Sequence, residues 1–185
     1  MDEPDCGPPD GYGRVTATMR DVVAEYVRGR SVAALGSGPG PGEGLWLGSL
    51  GAADVWAVDK AGRRLAPSSI RVEGPCPVTY WAAYGSEFHA VRGPIDVAFL
   101  KWPETAARWA DVLGDVPTVI YVGCNRLGTG CGHHTLWRAL SFRPVLRVVE
   151  GVRNDLVVYG PPTAVSAPAP RCREEVGAWT GWELP

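Results

Sequence analysis

The stretch SVAALGSGPGPG, residues 31–42, decides the fold predicted for this chain. It joins a short run of apolar residues, typical of a buried strand, to a loop in which every second residue is glycine. Glycine allows sharp turns and lets the backbone approach a ligand without a Cβ in the way. A helix predicted over residues 42–50 would offer its first amide groups to an anionic ligand. The stretch therefore predicts a strand–loop–helix unit with a ligand at the loop.

Apolar runs and helical patterns alternate along the rest of the chain. Strands are predicted at 54–58, 77–81, 95–100 and 117–122, and helices at 14–28, 104–113 and 133–140. The last two runs, 144–150 and 155–160, are separated by four residues, which predicts an antiparallel hairpin. Alternation of this kind is typical of a parallel sheet covered on both faces. We therefore predict a doubly wound α/β fold: a mostly parallel seven-stranded sheet with a C-terminal antiparallel hairpin and helices on both faces.

The length of 185 residues predicts one domain over residues 13–160. Residues 1–12 are acidic and rich in Pro and Gly, which predicts a loose arm. The five prolines of residues 161–185 predict an irregular tail, onto which Trp179 and Trp182 could dock.

Composition narrows the class of partner. The net charge of −2 lacks the basic surplus of most nucleic-acid binders, which disfavours a nucleic-acid substrate. A membrane span and a signal peptide are also not predicted, so the expected location is the cytoplasm. The sequence does not indicate an oligomeric state.

Three ligand loops compete for residues 36–42. A phosphate-binding Walker loop requires Gly-Lys followed by Ser or Thr, which this loop lacks. A dinucleotide loop requires Gly-x-Gly-x-x-Gly, and its third glycine would fall on Pro41 or Glu43. The spacing that fits is Gly-x-Gly-x-Gly, and a surface turn without a ligand remains the plain alternative.

Asp59 ends the second predicted strand, nineteen residues after Gly40. An acid at this position can accept hydrogen bonds from both hydroxyl groups of a ribose. Each such bond to a charged acceptor contributes about 1.5–3 kcal/mol. The alternative is an ordinary helix N-cap or a solvated turn.

Over residues 30–160 the chain resembles the class I S-adenosylmethionine-dependent methyltransferases. The resemblance rests on the glycine loop, on Asp59 and on the terminal hairpin. It implies that S-adenosylmethionine is the cofactor and that Asp59 holds the ribose diol. It further implies that the loop residues Gly36, Ser37, Gly38, Pro39 and Gly40 frame the methionine and ribose.

The resemblance also implies residues around the adenine. Lys60 would border the base, Tyr84 lies in the segment where many members carry an acid near the adenine amine, and Leu100 with Lys101 would close the site. Members often carry another acid two residues before the first glycine, where this chain has Ala34. Glu43 or Glu87 could substitute for the missing acids, and a member that does not bind the cofactor is the alternative.

The candidates for catalysis are Lys101, Trp102 and His133. Lys101 could steer an anionic substrate, and Trp102 could stack on a flat one or contact the sulfonium charge. His133, or the adjacent His134, could remove a proton from the methyl acceptor. The plain alternatives are a solvated lysine, a packed tryptophan and a helix cap. The Asp/Asn/Ser-Pro-Pro-aromatic motif of base-amine methyltransferases is not conserved here beyond Pro103.

A metal site is not predicted. Cys124, Cys131, His133 and His134 are close in sequence, but their spacing differs from standard zinc motifs. The sequence thus predicts a methyltransferase acting on a small molecule or a peptide group. An inactive methyltransferase-like partner protein is the alternative, and an NAD-dependent oxidoreductase fits the glycine spacing less well.

Overall fold

The computed structural model describes most of the chain. The described residues are 5–8, 14–38, 40–59, 69–82, 87–88, 93–101, 109–123, 134–151 and 154–163. The tail from residue 164 onward, with Trp179 and Trp182, lies outside them, as does most of the arm. No helix in these ranges is both long enough and apolar enough to cross a bilayer.

The described elements form one sheet with four helices. The strands are β1 Ser31–Leu35, β2 Asp54–Val58, β3 Ser69–Val72, β4 Val78–Trp81, β5 Val97–Lys101, β6 Thr118–Gly123, β7 Val145–Val149 and β8 Asp155–Tyr159. The helices are α1 Ala17–Val27, α2 Gly42–Ser49, α3 Ala110–Leu113 and α4 His134–Ser141. The order of strands across the sheet is β3-β4-β2-β1-β5-β6-β8-β7.

The mostly parallel sheet and its terminal hairpin are confirmed. Strands β4, β2, β1, β5 and β6 pair in parallel. Strand β8 lies between β6 and β7 and is antiparallel to both. All seven predicted strands are present, and β7 with β8 is the predicted hairpin.

The structure adds an eighth strand, β3, which the sequence prediction lacked. This strand pairs antiparallel with β4, and Arg71 donates from Nη1 to Thr79 Oγ1 at 3.1 Å. Its four residues, SIRV, include a charge and are too short to show an apolar alternation. Pairing with β4, rather than local sequence pattern, therefore determines this strand.

The predicted helix over 104–113 is described only at its end, as α3, because residues 102–108 lie outside the described part. The other predicted helices correspond to α1, α2 and α4, with ends that differ by at most three residues.

Alternate strand residues contribute to two buried apolar clusters. Ala34 and Phe99 belong to the first cluster, whereas Ala33 and Leu100 belong to the second. Helices α1 and α2 add Met19, Val22, Val23, Val27 and Leu47 to the first cluster. Helices α3 and α4 add Val112, Leu113, Leu136 and Leu140 to the second. Since side chains alternate across a strand, the two clusters lie on opposite faces of the sheet.

Helix α2 packs unusually close to the sheet because two of its contact positions are glycine. A Cβ at Gly44 would lie 2.6 Å from Val78 Cγ1 and 3.1 Å from Ala57 Cβ. A Cβ at Gly48 would lie 3.2 Å from Cys76 Sγ. Any larger residue at position 44 would push the helix away from the sheet. These glycines therefore set how closely α2, which directly follows the glycine loop, approaches the sheet.

Candidate functional site

The candidate site lies at the sheet edge where β1, β2, β4 and β5 end. Because these strands are parallel, their carboxyl ends meet at one edge. In the sheet, β1 has β2, the next strand in sequence, on one side and β5 on the other side. Ligands of open α/β sheets bind where the strand order reverses in this way. The loop after β1 starts at this point.

The glycine loop leaves β1 in a conformation that suits glycine. Gly36 has φ +79° and Gly38 has φ +81°, a region that residues with a Cβ rarely adopt. The amides of Gly36 and Ser37 donate to the Val58 carbonyl oxygen at 2.8 and 3.2 Å. A Cβ at Gly38 would meet no atom of the described residues within 4 Å, so none of them crowds this position. Backbone conformation, rather than crowding, therefore requires glycine at position 38.

Asp59 lies directly against this loop. Its Oδ2 accepts a hydrogen bond from the Gly38 amide at 2.9 Å, and its own amide donates to the Trp81 carbonyl oxygen at 3.2 Å. The residue is 8% exposed. The two features on which the sequence argument depended are thus in direct contact, at the end of neighbouring strands.

Ser37 contributes a buried hydroxyl group to the same loop. The residue is 3% exposed, and in the described part of the chain its Oγ has no hydrogen-bond partner. Buried hydroxyl groups are nearly always hydrogen-bonded, so such an atom calls for a polar group of a ligand or a water molecule. The Ser37 hydroxyl group and the Asp59 carboxylate lie at the same loop and are groups there that can bind a polar ligand.

Lys101 ends β5 and is almost completely buried. Its Nζ lies 3.7 Å from Glu43 Oε2, and both side chains are 1% exposed. The plain alternative of a solvated lysine is therefore wrong. From the sequence we expected Lys101 at the mouth of the substrate site, whereas the structure places it inside, beside the first turn of α2.

Aromatic side chains border the site on the other face of the sheet. Trp109 is 3% exposed, and a Cβ at Gly36 would lie 3.7 Å from its Nε1. Leu100 is fully buried in the second cluster, to which Trp109 also belongs. Trp109 was not predicted from the sequence, because a lone tryptophan in a helical pattern carries no signal for a ligand.

Tyr80 lies near Asp59 on the neighbouring strand β4. Burial raises the pKa of the Tyr80 hydroxyl group, and the negative charge of Asp59 raises it further. This residue was not predicted from the sequence either. Its alternation with apolar neighbours in β4 looks like an ordinary core tyrosine.

Several predicted residues lie outside the described part of the chain: Pro39, Lys60, Tyr84, Trp102 and His133. Their roles stay predictions. The Cys/His segment before α4 is outside it too. The described residues contain no cluster of three side chains suited to hold a metal ion.

A scan of protein-family models and a search of curated protein sequences give no match to this chain. Solved structures do match its fold. A candidate RNA methyltransferase of Pyrococcus horikoshii aligns with a TM-score of 0.53 at 14% identity, over 83% of this chain and 86% of its own. The candidate methyltransferase yhhF of Escherichia coli aligns with a TM-score of 0.51 at 16% identity, over 86% and 91% of the two chains.

A candidate S-adenosylmethionine-dependent methyltransferase of Streptococcus mutans aligns with a TM-score of 0.52 at 9% identity, over 77% of this chain and 48% of its own. At identities this low, the similarity shows the fold alone. The chain has the class I methyltransferase fold, as the sequence resemblance implied.

Proposed function

We propose that this protein is an S-adenosylmethionine-dependent methyltransferase acting on a small molecule or a peptide group. The observation that carries the proposal is the hydrogen bond between the Asp59 carboxylate and the Gly38 amide. It joins an acid suited to a ribose with a glycine loop suited to the rest of the cofactor, at the reversal point of the strand order.

Each group at this edge has a separate task in the proposed site. The Asp59 carboxylate accepts hydrogen bonds from the ribose hydroxyl groups, and the buried Ser37 hydroxyl group meets a polar atom of the cofactor. Gly36 and Gly38 let the backbone approach closely. S-adenosylmethionine supplies an electrophilic methyl group. The protein then mainly holds the acceptor in line with it, since positioning alone lowers such barriers greatly.

The proposed acceptor class rests on charge. A net charge of −2 gives no overall attraction to nucleic-acid phosphates. The Pyrococcus horikoshii neighbour is named for RNA, but its 14% identity does not carry that substrate to this chain. Incubation with radiolabelled cofactor and fractionated cell extract tests the acceptor: label in small molecules or peptides is expected, and label in RNA would contradict this class.

Cofactor binding is tested by thermal unfolding with S-adenosylmethionine, S-adenosylhomocysteine and NAD as separate ligands. A ligand at one hundred times its dissociation constant stabilises the folded state by about 2.7 kcal/mol. We expect stabilisation by the two sulfur ligands and none by NAD. Stabilisation by NAD would instead indicate an oxidoreductase.

The chain offers a matched pair of variants for this test. Asp59→Asn removes the charge beside the loop, and we expect it to abolish most of the stabilisation. Asp96→Asn is the control, because Asp96 Oδ2 also accepts a backbone amide at 2.9 Å, that of Ser31, but at the opposite edge of the sheet. Equal losses in both variants would contradict the proposed site.

One observation favours a second function, that of a partner protein which keeps the fold without methyl transfer. Ala34, at the position where relatives often hold the cofactor with an acid, is fully buried and apolar. Absence of stabilisation by both sulfur ligands in the unmodified protein would support this second function over the first.

A further inference from the structure

The pair formed by Glu43 and Lys101 joins helix α2 to strand β5 at the proposed site. Glu43 lies in the first turn of α2, directly after the glycine loop, and Lys101 is the last residue of β5. Their charged atoms are 3.7 Å apart and both side chains are 1% exposed. The pair therefore connects the loop-bearing helix with the strand on the other side of β1.

The register of the sheet explains why these two side chains meet. Ala34 pairs with Phe99, and the ring centroid of Phe99 lies 5.7 Å from that of Trp46 on α2. Side chains two residues apart on a strand share a face, so Lys101 lies on the α2 face as Phe99 does. On this face the end of β1 offers only the methyl group of Ala34. Glu43 on α2 and Lys101 on β5 therefore meet on this face, beside the end of β1.

Burial of such a pair is a weak contribution to stability. Removing two charges from water costs as much as their attraction returns, and apolar replacements of a buried pair are often as stable. A pair that adds little to stability, yet lies under a ligand loop, is better explained by what it positions.

We propose that Glu43 and Lys101 are positioning residues that fix the start of α2 against β5 and thereby hold the glycine loop in its ligand-binding conformation. This inference rests on the proposed function for its ligand. The loop geometry that it concerns, with the Gly38 amide bound to Asp59, can also be measured without any ligand.

The test uses the double variant Glu43→Gln/Lys101→Met, which removes both charges together. We expect its melting temperature to stay close to that of the unmodified protein. We expect its dissociation constant for S-adenosylhomocysteine, measured by calorimetry, to rise about tenfold or more, which corresponds to 1.4 kcal/mol or more. In the ligand-free protein, hydrogen exchange at the Gly36, Ser37 and Gly38 amides should become faster.

Two further variants sharpen the test. Lys101→Arg keeps the cation and should bind S-adenosylhomocysteine within about threefold of the unmodified protein, since its fork still reaches a carboxylate. The exposed pair Glu25 and Arg147, whose charged atoms are 2.8 Å apart, supplies the control. The double variant Glu25→Gln/Arg147→Met should leave both the dissociation constant and the loop exchange unchanged.

The outcomes separate this inference from the proposed function. Unchanged affinity and unchanged loop exchange in the charge-free variant would overturn the positioning role, as would a Lys101→Arg variant that binds as weakly as the charge-free variant. If the unmodified protein fails to bind S-adenosylhomocysteine, the proposed function fails, while faster exchange at the loop amides of the charge-free variant would still support the positioning role. If that variant does not fold, the single variant Glu43→Gln, which keeps the size of the side chain, is measured in its place with the same expectations for affinity and loop exchange.

Discussion

The two edges of the sheet each bury a positive charge, and they do so with different partners. Arg143, 1% exposed, lies at the edge where β6 begins and β8 ends. Its guanidinium donates to the carbonyl oxygens of Val116 and Gly160 at 2.8 Å, and to that of Leu113. Lys101, at the opposite edge, lies beside the Glu43 carboxylate.

The different partners of the two cations indicate different roles. Backbone carbonyl groups from three segments fix Arg143 as a cross-link between α3, β6 and the hairpin. A carboxylate on α2 instead couples Lys101 to the helix that follows the glycine loop. Burial lowers the pKa of Arg143 to about 10, so its guanidinium stays charged at neutral pH. Buried charge thus serves the fold at one edge and, by our proposal, the ligand loop at the other.

The largest expected effect is at the Arg143 edge. The substitution Arg143→Met removes three buried hydrogen bonds to backbone carbonyl oxygens, so we expect the free energy of unfolding to fall by about 3 kcal/mol or more. Urea denaturation measures this loss. The dissociation constant for S-adenosylhomocysteine should stay unchanged in the folded variant, and a strong change in it would break the distinction between the two edges.

A smaller effect is expected for Gly44→Ala, in helix α2. The new Cβ would lie 2.6 Å from Val78 Cγ1, so α2 must shift, at a cost of about 1–3 kcal/mol. Because α2 follows the glycine loop, ligand affinity should fall as well. Gly74→Ala is the control, since its Cβ would have its nearest neighbour at 3.9 Å. Loss of stability without loss of affinity would show that the loop tolerates a moved helix.

The stability of the protein at alkaline pH should depend on Tyr80, which lies near the Asp59 carboxylate. The pKa of Tyr80 is raised by burial and by Asp59. Above pH ~10 the unfolded chain loses this proton while the folded chain keeps it. The folded state then binds more protons, so stability falls as pH rises from there through the folded pKa, by less than about 1.4 kcal/mol for each pH unit. Denaturation of Tyr80→Phe at pH 8 and 11 should show a smaller fall than the unmodified protein; an equal fall would exclude Tyr80 as its source.

The smallest effect is expected at the surface, for Arg147→Met. Arg147 pairs with Glu25 at 2.8 Å, but the two side chains are 45% and 58% exposed. Exposed ion pairs of this kind contribute about 0.2–1 kcal/mol, and salt screens them. Denaturation at low and high salt should show a small difference that vanishes at high salt. A loss comparable to that of Arg143→Met would contradict the link between burial and structural role.

Much of the fold could be predicted because its signals are local. Short apolar runs predict the seven strands, and the four residues between the last two runs predict the hairpin. The glycine spacing and Asp59 were visible because a sharp turn and an acid at a strand end leave marks within a few residues. That the Asp59 carboxylate contacts the Gly38 amide follows from the parallel pairing of β1 and β2.

The rest depended on partners that are distant in sequence. Strand β3 forms because it pairs with β4, and its four residues, one of them charged, do not by themselves predict a strand. Lys101 meets Glu43, and Arg143 meets three carbonyl groups, only once the sheet has brought separate segments together. The sequence by itself determined which segments are apolar, where the chain can turn and which positions carry a charge. Tertiary structure decided which charges are buried and what they face, because desolvation and pairing are properties of neighbours in space.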